Sequence, residues 1–175
     1  MPGISFHFVA IIALISTALV IFSRNAVHAL LYLIVSLLAV AVIFYQFGAP
    51  FAAALEVIVY AGAIMVLMIF VIMMLNQGDA AVAQENQWMQ PRGWVGPGLL
   101  SGLLLLQMLW LLFADAGGGD PAHHRVGAKE VGIALFSRYL LAVELASMLL
   151  LAGLVGAFHL ARPSRHNPGE TDHVD

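Results

Sequence analysis

Apolar side chains run almost unbroken through five stretches of the chain, residues 4–22, 26–47, 51–75, 95–114 and 139–161. Each is long enough to cross a bilayer's hydrocarbon as an α-helix, which takes about 17–25 residues. None shows the period-two alternation of the roughly ten-residue strands of a membrane barrel. The pattern predicts an all-α, polytopic membrane protein with five transmembrane helices in a single domain over 1–161. The first run has no Lys or Arg before it and is longer than a secretory apolar core, so it reads as a retained helix.

Polar and turn-forming residues mark the breaks. Arg24-Asn25 separates the first two runs, and Gly48-Ala49-Pro50 forces a tight turn before the third. Pro91, Gly93, Gly96 and Pro97 lead into the fourth, where proline suits a first helical turn. Gly117-Gly118-Gly119-Asp120-Pro121 reads as a mobile loop, and Arg162-Pro163 ends the fifth run. The pieces left over, 76–94, 115–138 and 162–175, are too short to bury a core of their own. The last of them reads as a polar, disordered cytoplasmic tail.

Composition narrows the function classes. Apolar residues make up 62% and charged residues 10% of the chain, against roughly 25% charged in a soluble domain. That excludes a soluble enzyme, a nucleic-acid binder and a disordered regulator. With no cysteine, no disulfide, thiolate metal site or iron–sulfur ligand set is available. Arg24, Arg92, Arg162 and Arg165 fall on the face that carries the C-terminus, and Arg125, Lys129 and Arg138 on the other. The excess predicts a periplasmic N-terminus and a cytoplasmic C-terminus.

Two carboxylates stand inside the apolar runs, Glu56 in the third helix and Glu144 in the fifth. A charge at the bilayer centre costs about 2.5–3.5 kcal/mol on insertion scales, so each asks for a reason. Each lies five residues from its predicted helix start, about 7.5 Å in at 1.5 Å per residue. They read either as a protonatable relay facing partner helices or as interfacial groups held by a neighbouring helix. No Asp, Lys or Arg lies inside any predicted helix, and a proton pump needs a chain of ionisable groups across the membrane. Alone, this chain does not pump.

The third helix is the most unusual. Glu56 and Tyr60 are four apart on one face, within reach of a hydroxyl–carboxyl contact, and Ala61-Gly62-Ala63 follows. Small residues there favour close approach of a partner helix, and a mid-helix glycine also lowers the cost of a kink or π-bulge. Packing is the simpler of the two readings. Gly98 and Gly102, Ala142 and Ala146, Ala152 and Gly156, and Gly153 and Ala157 repeat the small-residue spacing of crowded membrane helices. Met65, Met68, Met73 and Met74 fit irregular packing. His28 and His159 near helix ends leave a haem-binding anchor as one alternative, and His123-His124 beside Asp120 is a weak metal candidate.

Residues 56–75, EVIVYAGAIMVLMIFVIMML, closely resemble the third helix of subunit J of proton-translocating NADH:quinone oxidoreductase, bacterial respiratory complex I. That family is the counterpart of mitochondrial NADH dehydrogenase subunit 6. The likeness continues through 25–33 (NAVHALLYL), 131–136 (VGIALF) and 142–153 (AVELASMLLLAG). Ala26 stands where the family usually has Pro, and Met68 where many members have Phe.

The resemblance implies a multi-pass subunit of the bacterial inner membrane with no redox cofactor of its own. The complex as a whole uses FMN, iron–sulfur clusters, NADH and quinone. Its implied neighbours are subunits H, A and K and the antiporter-like subunits, in the lipid bilayer and without nucleic acid. It also implies a π-bulge near Tyr60, Gly62 and Met65 that converts to α-helix and gates a proton path, which moves the reading of Gly62 from packing towards a hinge. Glu56 is then expected in a polar link to neighbouring subunits, with Glu144 a further coupling candidate. A subunit of a related cation/proton antiporter is the other alternative.

Overall fold

The computed structural model describes residues 2–23, 25–75, 91–116 and 125–162. Among them are six helices and no strand: α1 (Pro2–Phe22), α2 (Ala26–Gln46), α3 (Pro50–Leu75), α4 (Pro91–Ala116), α5 (Ala128–Ser137) and α6 (Leu140–Ala161). All but α5 are long and apolar enough to cross a membrane. The five spans expected from the pattern are therefore present.

Three local details differ from the outline the pattern drew. α4 begins at Pro91, as a helix-opening proline suggests, and carries Pro97 inside it, its ring buried. A proline this close to the helix start removes only one early backbone bond. The segment 115–138, left over between two predicted spans, contains α5. At ten residues, with Gly132 inside and Lys129 and Glu130 in its first turn, α5 is too short and too mixed to stand out as an apolar run. The second span ends at Gln46 rather than at Phe47. The glycine loop 117–121, His123 and His124, Arg24, and the tail beyond Arg162 lie outside the described residues.

The α2–α3 turn shows why that end is sharp. Gly48 adopts φ 77°, the left-handed region that glycine enters without a side-chain penalty. Its N–H donates to the Tyr45 carbonyl and the Ala49 N–H to the Phe44 carbonyl, both at 3.0 Å. Those two bonds make a Schellman cap, and Pro50 then opens α3 at a position where no N–H is needed. The Gly48 carbonyl accepts from the Val126 N–H at 2.8 Å, which ties residue 126 to this turn. At the other end of α2, Asn25 Oδ1 accepts from the Val27 N–H at 2.9 Å as an N-cap.

The chain divides into two compact units, Met1–Gly127 and Ala128–Asp175. In the first, α2 is central and packs on α1, on α3 and on α4. Val9 and Ile12 of α1, Val35, Ala39 and Val42 of α2, and Leu104 of α4 form its core. Lipid tails are as apolar as these side chains, so close fit and polar ties hold the helices. The Thr17 hydroxyl lies 2.8 Å from that of Ser36 and donates to the Ala13 carbonyl at 2.8 Å. Nearer the other end, the Ser5 hydroxyl accepts from Gln46 Nε2 at 3.4 Å and from Gln107 Nε2, joining α1, α2 and α4. Gly96 of α4 faces the Tyr32 hydroxyl of α2 so closely that a β-carbon there would overlap it. In the second unit, α5 packs on α6.

Candidate functional site

The site expected on the third helix is where the backbone departs from α-helical geometry. Within α3, residues Glu56–Ile64 form a π-helix, flanked by α-helical Pro50–Leu55 and Met65–Leu75. Entry is smooth: the Glu56 N–H bonds to the Ala52 and Ala53 carbonyls, four and three residues back. At the exit the Met65 N–H reaches the Tyr60 carbonyl, five residues back, and also the Gly62 carbonyl. Tyr60, Gly62 and Met65 are thus joined through one N–H. An i→i−5 ladder of this kind is rare in proteins and frequent at functional sites.

Gly62 has a steric reason to be glycine. A β-carbon there would lie 3.0 Å from the Val57 carbonyl oxygen, its partner across the wide turn. That is tighter than about nine in ten real β-carbon contacts, and the obstacle is backbone, not a flexible side chain. The π form and a side chain at position 62 therefore compete.

The helix around it is lightly held. The side chains of α3 that are buried in this chain are Ala53, Ala61 and Met65, the last 9% exposed. Glu56 and Gly62 are half-buried, and Tyr60 is 52% exposed. No hydrogen bond joins the Tyr60 hydroxyl to the Glu56 carboxyl, so the contact expected from their spacing is not made. Four of the five expected site residues stand on one stretch of α3. Glu144 is exposed on α6 in the other unit, where the Ser147 hydroxyl donates to its backbone carbonyl at 2.7 Å.

The haem alternative rests on His28 and His159. His28 is half-buried in α2 and His159 exposed in the last turn of α6, one in each unit. Among the described residues no three His, Asp or Glu side chains gather as a metal site would need. Sequence reasoning passed over the polar ties, because it weighed ionisable groups and not neutral ones. Ser5, Ser36, Gln46 and Gln107 inside apolar runs were the signal for them.

Comparison with known proteins gives a consistent result. The family described as NADH-ubiquinone/plastoquinone oxidoreductase chain 6 matches residues 16–160. NADH-quinone oxidoreductase subunit J of Pseudomonas aeruginosa is 56% identical over 158 residues, covering 90% of this chain and 95% of the relative. The subunit J of Escherichia coli K12 is 53% identical over 164 residues, 92% of this chain and 87% of the relative. That of Buchnera aphidicola from Schizaphis graminum is 49% identical over 160 residues, covering 91% and 98%.

Proposed function

The chain belongs to the subunit J family of NADH-quinone oxidoreductase, chain 6 of the NADH-ubiquinone/plastoquinone enzymes, and is a multi-pass membrane component of that complex; we propose that α3 is its coupling switch. The observation that carries this reading is the π-helix over Glu56–Ile64, with Gly62 at its crowded point.

The mechanism follows from the backbone. Converting the π stretch to α-helix replaces i→i−5 bonds by i→i−4 bonds, which puts fewer residues in each turn and rotates everything beyond it. Met65–Leu75 would turn about the helix axis, while Pro50–Leu55 stays anchored by the Gly48–Pro50 turn. The rotation releases few contacts, because Ala53, Ala61 and Met65 are the buried attachments of α3 and two of them are alanines. Tyr60, exposed at the hinge, would move relative to Glu56 and open or close a polar path to a neighbouring subunit. An element with two backbone states, each compatible with packing, is what a distant redox step needs in order to act on proton movement.

In this reading Glu56, half-buried in this chain, makes a polar link to partner subunits, and Glu144, exposed on α6, is a further coupling group. The partners are the membrane subunits H, A and K and the antiporter-like subunits. The chain supplies no redox centre, in keeping with a sequence that holds no cysteine to ligate an iron–sulfur cluster. The N-terminus faces the periplasm and the C-terminus the cytoplasm, in a bacterial inner membrane. The relatives' enzyme name favours this reading over the antiporter alternative.

The reading is tested by cysteine pairs placed to cross-link Met65–Leu75 to a neighbouring subunit in one rotational state. Cross-linking is expected to abolish NADH-driven proton pumping and to leave NADH:ferricyanide reduction intact. Pumping at the untreated rate in a fully cross-linked complex would overturn it.

A further inference from the structure

A switch in α3 needs a fixed end, and the turn before α3 provides one only where the turn is itself held. Gly48 and Ala49 spend their N–H groups on closing α2. The Ala49 carbonyl accepts the first bond of α3, from the Ala53 N–H at 3.0 Å. The Gly48 carbonyl lies between the two helical ladders and belongs to neither. Its partner is the Val126 N–H, at 2.8 Å. Among the described residues this is the backbone bond outside the helices that joins distant parts of the chain, while the others close local turns.

The surroundings of the bond suit a restraint. Residues 125–127 have no regular structure, Val126 and Gly127 are half-buried, and all three belong to the first unit. The preceding residues of the turn are held as well. Gln46 Nε2 donates to the Ser5 hydroxyl at 3.4 Å, and the Phe47 ring lies 5.5 Å from that of Phe6. Beyond Gly48 the hold weakens, because the buried attachments of α3 are Ala53, Ala61 and Met65. Gly48 is therefore the last firmly tied residue before the π stretch.

We propose that residues 125–127 form a strap across the α2–α3 turn, in which the Val126 N–H holds the end of α3 through the Gly48 carbonyl. The inference rests on the reading of α3 as a switch. Rotation generated within Glu56–Ile64 acts equally on both flanking segments, and it appears at Met65–Leu75 only where Pro50–Leu55 is held. Val126 is thus a positioning residue for coupling. Its working group is the backbone N–H, so any residue except proline serves there.

The test uses the intact complex. Hydrogen–deuterium exchange resolved to single amides is expected to find Val126 exchanging slowly although it lies outside any helix; exchange at the free-chain rate overturns the strap. Val126→Pro removes the donor and Val126→Ala keeps it. In Val126→Pro the Gly48 and Ala49 amides are expected to exchange about fivefold faster, the size of one net backbone hydrogen bond. The proton-to-electron ratio falls with them, and NADH:ferricyanide reduction is unchanged. Val126→Ala leaves all three as they were. Unaltered exchange in Val126→Pro overturns the strap, and faster exchange with an undiminished ratio overturns its part in coupling. The cross-link at Met65–Leu75 separates the two failures. If it abolishes pumping where Val126→Pro does not, α3 switches without the strap; if neither affects pumping, the switch itself is refuted.

Discussion

Gly62→Ala is the sharpest perturbation of the proposed coupling element. In the π form its methyl group meets the Val57 carbonyl oxygen at 3.0 Å, and the backbone on both sides must give by a few tenths of an ångström. In an α-helix the same substitution is favourable, by about 1 kcal/mol relative to glycine. That gain is measured against the unfolded chain and is common to both helical forms, so the α state is favoured by the crowding alone, at about 1–3 kcal/mol for overpacking of this kind. At 1.4 kcal/mol per factor of ten, that is at least about a fivefold shift of the equilibrium away from the π state. If turnover alternates between the two states, NADH:quinone activity and NADH-driven proton uptake in membrane vesicles fall together, by about that factor. NADH:ferricyanide reduction, which needs neither quinone nor this helix, stays at its original level. Gly62→Val adds a branched side chain against the preceding turn and exceeds the effect of alanine. An assembled Gly62→Ala complex with unchanged quinone activity and unchanged pumping would refute the two-state reasoning.

Glu56→Gln keeps the shape of the side chain and removes its charge; it is expected to lower the proton-to-electron ratio while the complex assembles normally, and normal pumping would reduce Glu56 to a packing role. Gly96→Ala drives a methyl group into the Tyr32 hydroxyl, and overpacking of this kind costs about 1–3 kcal/mol. Loss of heat-stable complex on a native gel checks it, with partial recovery in Gly96→Ala/Tyr32→Phe. Leu104→Ala empties the core between α1, α2 and α4 and is expected to cost about 2–5 kcal/mol, read as lower thermal stability with coupling per assembled complex unchanged.

What could be read from the chain divides along physical lines. The five spans were legible because a helix in hydrocarbon must be continuously apolar, and that constraint is local to each run. The ends of α4 and the existence of α5 were not, because water at the interface lets polar and apolar residues share a helix. Glu56, Tyr60, Gly62 and Met65 stood out by residue type, but their spacing alone left both packing and hinge open. What the structure adds is the Met65 N–H to Tyr60 carbonyl bond and the nearness of the Val57 oxygen, both properties of the backbone path. The ties at Ser5, Gln46 and Gln107 depend on which helices become neighbours, and Ser5 and Gln107 are 102 positions apart. No local pattern encodes that.

The contact between Tyr32 and Gly96 has a mechanical consequence. A phenol head seated in a notch without a side chain acts as an axial stop, fixing the height of α4 against α2. The Ser5–Gln46–Gln107 node fixes the same pair near the opposite face, so piston-like sliding would break the fit at both ends. The trio α1, α2 and α4 is thereby a stator. Were α3 to switch as proposed, its torque would meet a trio held at both ends and pass outward to whatever subunit touches its exposed side.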